Sequence, residues 1–263
     1  EGWAIECRIN AEDPFRNFLP STGRLVRFEP PAQDLQQGLA TTALGVRVDT
    51  GVVDGGEIPM YYDSMIAKLI VHGRDRADAI ARMREALNGF VIRGVQSNIP
   101  FQAALLAHPK FQAGDFNTGF IAEQYAHGFS AADVPHADPS FLVALAACLH
   151  KFYRNRARSL QGQFWEGKQR PPRRDFVVCT LGHAGDNQYV NVTLEEGAVG
   201  PGSRVTVHAP EGDRAYDLQI KHGLGDARVE GLCNGHAFTA QLERGRARNP
   251  LVIRVIHNGT QLD

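Results

Sequence analysis

Asp138-Pro139-Ser140-Phe141-Leu142-Val143-Ala144-Leu145-Ala146-Ala147-Cys148-Leu149-His150-Lys151-Phe152 reads as a helix too apolar for a surface position. Asp138 supplies an N-cap, and Pro139 stands in the first turn, where its missing N–H costs nothing. Phe141, Leu145, Cys148, Leu149 and Phe152 share one face at helical spacing, and Leu142 and Ala146 widen it. Such a helix needs apolar cover on more than one side. After residue 175 the pattern changes to short alternating runs at 176–181, 188–194, 204–209, 215–221, 227–232, 236–242 and 251–256, most of them separated by glycine-bearing turns. Asn258-Gly259 is a hairpin signal with a few residues after it, so an eighth strand is expected there. One long helix beside about eight antiparallel strands points to a barrel closed around the helix.

Upstream of the helix the chain reads as mixed α and β, separated from it by the small-residue and proline stretch 128–139. Trp3, Ile5, Cys7 and Ile9 alternate with polar residues, which makes a strand with one buried face. Leu44, Val46 and Val48 form a second, which puts Arg47 and Asp49 together on the opposite face; 65–71, with Lys68 in its middle, is a third. A helix follows, capped by Asp75, with Ala79, Ile80, Met83, Ala86 and Leu87 as its stripe and Asn88-Gly89 as a left-handed stop. A short strand at 90–93 and helices at 98–107 and 117–126 complete this half, and residues 11–24 read as a structured loop. The fold class is α+β, divided at 1–130 and 131–263.

Composition narrows the function classes. The chain has 263 residues, 43% hydrophobic and 22% charged, with a net charge of −1. Its apolar content excludes a wholly disordered chain, and its charge balance argues against a generally basic nucleic-acid binder. No apolar run approaches the roughly 18 residues of a membrane span. Glu1 to Cys7 lacks the basic and apolar regions of a secretory leader, and there is no initiator Met, so a processed chain or an excised fragment is expected. Cys7, Cys148, Cys179 and Cys233 are too widely spaced for a metal knuckle or a CxxC pair; each lies in an apolar run, so four buried thiols in a reducing compartment are expected.

No self-sufficient active site is visible. A P-loop, a G-x-G-x-x-G, an HExxH and a G-x-S-x-G are all missing, and the histidines read as scattered surface residues. A basic stretch (Lys151, Arg154, Arg156, Arg158, Lys168, Arg170, Arg173, Arg174) interleaves with Phe152, Tyr153, Phe164 and Trp165. It reads as a nucleic-acid patch, as the cationic end of an amphipathic helix, or as a docking loop over 161–175. Aromatics and arginine favour docking, with Phe164 and Trp165 as its anchors; the plainer alternative folds these two rings back onto the core.

Residues 3–24, WAIECRINAEDPFRNFLPSTGR, resemble the opening of the C-terminal subdomain of biotin carboxylases. The resemblance continues through Gly45-Val46-Arg47, through Met60 to Leu69, through 79–86 and through Val91 to Ile99. Within that group, the VIRGV…NI and GDFNTGFIAEQYAHGF segments are most similar to propionyl-CoA carboxylase alpha subunits. In those subunits a helix surrounded by an antiparallel barrel follows and bridges to the carboxyltransferase beta subunit.

The resemblance implies a ligase component that uses ATP, with Mg2+ or Mn2+, and bicarbonate to carboxylate biotin, the beta subunit then passing the carboxyl group to an acyl-CoA. Arg47 matches the family arginine that contacts the ureido oxygen of biotin, so it is the expected catalytic residue. The family's ATP-grasp region would precede residue 1, and the biotinylated lysine would follow residue 263. By this reading the chain alone is inactive and holds none of these cofactors. Its partners would be the beta subunit and the biotin carrier domain of the same polypeptide, in a hetero-oligomer of the bacterial cytoplasm or mitochondrial matrix, without nucleic acid or membrane. A methylcrotonyl-type or other acyl-CoA carboxylase, and a non-catalytic interaction module, are the alternatives.

Overall fold

A computed structural model of the chain describes residues 2–34, 45–61, 63–134, 136–158, 174–182, 186–196, 202–245, 249 and 252–263. The chain forms two compact units. The first holds residues 1–136 with 256–260, and the second holds 137–255 with 261–263.

In the first unit, β1 (Trp3–Asn10), β2 (Gly45–Thr50) and β3 (Met65–Gly73) make an antiparallel sheet in the order β1-β3-β2. The alternation seen in the sequence is the reason. Cys7, Ile9, Val48, Leu69 and Val71 turn to one face, and α1 (Arg76–Asn88) covers it with Ile80, Met83 and Leu87. Asp75 caps α1 by accepting from the Asp78 amide at 2.8 Å. Gly73 is where strand and helix meet: a Cβ there would stand 2.4 Å from the Ala79 backbone nitrogen, so a larger residue would push the helix off the sheet.

Two expectations change here. Gly89 was expected to stop α1 in the left-handed region, yet it is right-handed at φ −76°. The helix ends instead through Gly89 and Phe90 amides bonding back to the Glu85 and Leu87 carbonyls, and close approach to Pro31 leaves little room at residue 89. The helix expected at 98–107 is α2 (Ile99–Ala107), but a five-residue helix, Pro109–Ala113, follows it unannounced. The structured loop over 11–24 contains the two-residue ladder Glu12–Asp13 with Leu19–Pro20.

In the second unit, α3 (Pro139–Arg158) is buried all round from Phe141 to Leu149, with Ala146 the one partly buried position. A helix apolar on every side belongs inside a core, and eight strands supply the cover. They are β4 (Asp175–Thr180), β5 (Gln188–Glu196), β6 (Ser203–Ala209), β7 (Gly212–Lys221), β8 (Arg228–Cys233), β9 (His236–Arg244), β10 (Ile253–His257) and β11 (Thr260–Leu262), paired in chain order. Val192, Val205, Val207, Leu218, Val229, Ala240 and Val255 alternate inward onto the helix. The ladder runs from β4 to β11 without closing on itself; a backbone bond from Leu181 N to Asp263 O, 2.9 Å, spans the two ends. The sheet therefore surrounds the helix as an open barrel.

Tyr216 donates to both carboxylate oxygens of Asp138 at 2.8 Å, and Arg214 bonds the same group at 3.1 Å. The helix start is thus tied to β7. The four thiols divide in two, against the expectation that all are buried. Cys7 and Cys148 are buried, whereas Cys179 and Cys233 are half-exposed. Cys179 stands opposite exposed Tyr189, and Cys233 ends its strand at a turn. Among the described residues, no helix is long and apolar enough to cross a membrane.

Candidate functional site

Arg47 lies at the centre of β2. Its flanking Val46 and Val48 belong to the core packing, which leaves Arg47 and Asp49 on the other face of the sheet. Directly opposed residues on antiparallel strands share a face, so the register defines what surrounds them. Arg47 pairs with Ile70, and Ile70 with Glu6; Asp49 pairs with Lys68, and Lys68 with Arg8. Three cations and two carboxylates thus lie in two adjoining rows on one sheet face.

Within that face Arg47 and Asp49 form a two-point ion pair. Arg47 Nε donates to Oδ1 at 2.8 Å and Nη2 to Oδ2 at 2.6 Å. About a third of each side chain remains exposed. The arginine hydrogen bond holds the Asp49 carboxyl below the usual range, and the charges of Arg47 and Lys68 act the same way. The same bond raises Arg47, which stays a cation at any working pH. The backbone on either side of Arg47 is held from the outer edge by side chains. Val46 N donates to Asp34 Oδ1, and Val48 N donates to Gln33 Oε1 at 2.8 Å.

Beside the sheet, Glu12 Oε1 accepts from Ser64 Oγ at 2.7 Å and from Asn10 Nδ2 at 3.1 Å. Asn98 ties the same corner down, accepting from Asn10 N at 3.0 Å and donating to Arg8 O at 3.0 Å. By sequence alone, Glu12 reads as solvated charge in a turn and Asn10 as a polar strand position, whereas Ser64 and Asn98 enter only through the family likeness. Nothing in their local spacing announces that they converge from positions up to 90 residues apart.

What this arrangement offers is a fixed guanidinium. Two of its five N–H donors are taken by Asp49, and the outer Nη donors remain. Such an edge suits a carbonyl oxygen that gains negative charge. Phe164 and Trp165 lie outside the described residues. Of the basic stretch, Lys151 donates to Ser203 Oγ at 3.0 Å and Arg154 lies over the Phe176 ring at 5.7 Å, so both are turned onto the sheet. Among the described residues no three His, Cys, Asp or Glu side chains stand together as a metal-ligand set.

A second polar cluster lies on the outer face of the second unit, beside an open hollow of about 590 Å³. Asp213 meets His208 Nδ1 at 2.9 Å, His208 Nε2 meets Thr193 Oγ1 at 3.0 Å, and Thr193 donates to Asp175 Oδ1 at 3.0 Å. The order is that of a nucleophile relay. With its proton directed to Asp175, however, the Thr193 hydroxyl is a link in a surface network.

Comparison with known proteins assigns both halves. Residues 6–123 match the family described as the biotin carboxylase C-terminal domain, and residues 142–263 match the propionyl-coenzyme A carboxylase BT domain. The chain therefore joins a biotin carboxylase C-terminal domain to a BT domain. It is homologous to propionyl-CoA carboxylase alpha chains over most of its length. It is 40% identical over 83% of its length to the propionyl-CoA carboxylase alpha chain of Ruegeria pomeroyi, covering 34% of that protein. It is 33% identical over 98% of its length to the mitochondrial alpha chain of Caenorhabditis elegans, again covering 34%. Biotin carboxylase 1 of Bacillus subtilis is 52% identical over 46% of this chain, which covers 25% of it. The chain thus spans a quarter to a third of the length of these relatives.

Proposed function

We propose that this chain is the central part of an acyl-CoA carboxylase alpha subunit, contributing a wall of the biotin carboxylase site and the docking domain for a carboxyltransferase beta subunit. The observation that carries this reading is the order of the two domains on one chain, 6–123 and then 142–263. In the intact subunit the reaction is ATP- and bicarbonate-dependent carboxylation of biotin, with Mg2+ or Mn2+, followed by transfer to propionyl-CoA on the partner. Biotin supplies the ureido ring that carries the carboxyl group. Arg47 binds and orients that ring through its outer Nη donors and offsets charge that develops on the oxygen. The assembly is a hetero-oligomer of the bacterial cytoplasm or mitochondrial matrix, with residues 1–130 on the carboxylase side and 131–263 bridging.

The experiment is Arg47→Ala in the full-length subunit. Biotin carboxylation should slow on the order of 100-fold, the usual loss for one oxyanion donor, with little change in melting temperature. An unchanged rate removes Arg47 from the chemistry. For docking, Phe164→Ala with Trp165→Ala should weaken association with the beta subunit about 30-fold, the equivalent of about 2 kcal/mol at an aromatic anchor, as read by titration calorimetry. Unaltered affinity of the folded double variant would place docking elsewhere.

A further inference from the structure

Arg47 is placed for its task by a neighbour on its own strand. Five donors ring a guanidinium, and its direction decides which of them a ligand meets. Asp49 is two residues further along β2 and therefore on the same face. It takes Nε and one Nη2 hydrogen side-on, at 2.8 and 2.6 Å. A side-on pair fixes the plane of the fork as well as its distance, and leaves the end formed by Nη1 and the second Nη2 hydrogen as two parallel donors. The backbone under the pair is anchored on both edges. The β3 ladder holds one, and the side chains of Gln33 and Asp34 hold the other at Val48 and Val46, the residues flanking Arg47. Lys68, directly opposite Asp49, keeps the face from becoming neutral.

We propose that Asp49 is a positioning residue for Arg47, holding the guanidinium so that its end-on donors face the reacting oxygen. This rests on the role of Arg47 proposed above. The rival account is that Asp49 only balances charge, and the two differ in sign. If Asp49 merely dilutes the positive field, Asp49→Asn strengthens binding of a developing oxyanion and raises the rate. If Asp49 positions, the same change frees the fork and lowers it.

The test measures kcat and the KM values for free biotin and for ATP in the full-length subunit for Asp49→Asn, Arg47→Ala and the double variant. Asp49→Asn should lower kcat at least about 10-fold, as misplacement by about an ångström does, with KM for ATP unmoved. The double variant should be no slower than Arg47→Ala alone, because a positioning residue has nothing left to position. A faster Asp49→Asn enzyme, an unchanged one, or fully multiplicative losses would each overturn the inference. A slowed Arg47→Ala beside an unchanged Asp49→Asn defeats this inference alone; an unchanged Arg47→Ala defeats the parent reading as well. A second readout needs neither turnover nor a variant that folds. In the 263-residue chain, the Arg47 Nε–H NMR signal should exchange with water at least about 10-fold more slowly than those of unpaired arginines, as a charge-assisted bond requires. Free exchange in the unmutated chain would also refute the proposal.

Discussion

His136 Nε2 and His257 Nδ1 stand 2.7 Å apart, so one ring must offer a lone pair while the other donates. Burial, the charge of His136 and the charge of Arg84 push His257 down to about 3. Burial lowers Arg84 as well, and its side chain is only partly exposed to solvent. The folded-state value lies below the unfolded value of about 6.5. The stabilisation is therefore full above pH 6.5 and is lost as pH falls from there toward 3, by at most about 1.4 kcal/mol per pH unit. Asp78, held at about 2 by the Arg74 amide first and the Arg82 side chain next, acts in a separate window, losing its contribution only as pH falls below about 4. Urea midpoints between pH 7 and pH 5 separate the histidines from Asp78, and the comparison with His257→Gln separates His257 from His150, which burial and the charges of Arg154 and Arg244 also lower. They should fall in the parent chain and much less in His257→Gln; equal slopes in both would mean that His257 titrates normally.

At the scale of elements, α3 forms the middle of the core in its unit. Leu145 is fully buried and touches the strand layer around it. Leu145→Ala removes its methyl groups and leaves a gap that a surrounding sheet cannot close, so it should cost about 2–5 kcal/mol. Asn155→Ala, on the exposed end of the same helix, should cost under about 0.5 kcal/mol. Denaturant melts followed by near-ultraviolet dichroism distinguish the two, and a Leu145→Ala cost near zero would mean that the helix does not form the core. This helix and seven of its strands were legible in the sequence from their own periods, and the three-residue eighth, Thr260–Leu262, from the Asn258-Gly259 turn before it. The Pro109–Ala113 helix was not, because five residues hold barely more than one turn and their flanking Pro109 and Gly114 read as loop. Gly89 was misread for a related reason. Its residue type permits the left-handed region, but packing against Pro31, which is remote in sequence, decided its conformation.

For the whole molecule, the decisive pairings are those that local pattern cannot report. The face bearing Arg47 and Asp49 was readable from alternation, whereas the Lys68, Arg8 and Glu6 rows come from strand register, and the Gln33 and Asp34 clamps come from the return of a loop. The role of Arg47 entered through family likeness, since a strand arginine alone names no chemistry. Residues 256–260 show the same limit. They were read as a hairpin tip of the strand-rich half, yet they belong to the first unit. Asn258 and Gly259 take left-handed φ values of 51° and 81° there, as a tight turn requires. Asn88, read as part of a helix stop, is buried at 6% exposure and receives the Asn258 amide at 2.7 Å while donating to its Oδ1 at 3.1 Å. Thr260 adds a bond to Val134 O at 2.9 Å. Asn88→Ala should therefore destabilise the first unit by about 1–3 kcal/mol, since it removes two bonds from a buried place. The Asn258 amide should also exchange its hydrogen faster by roughly the equivalent factor, 5- to 150-fold. Unaltered exchange at Asn258 in the folded variant would show that the turn is held without Asn88, and that the 170-residue link is incidental to the first unit.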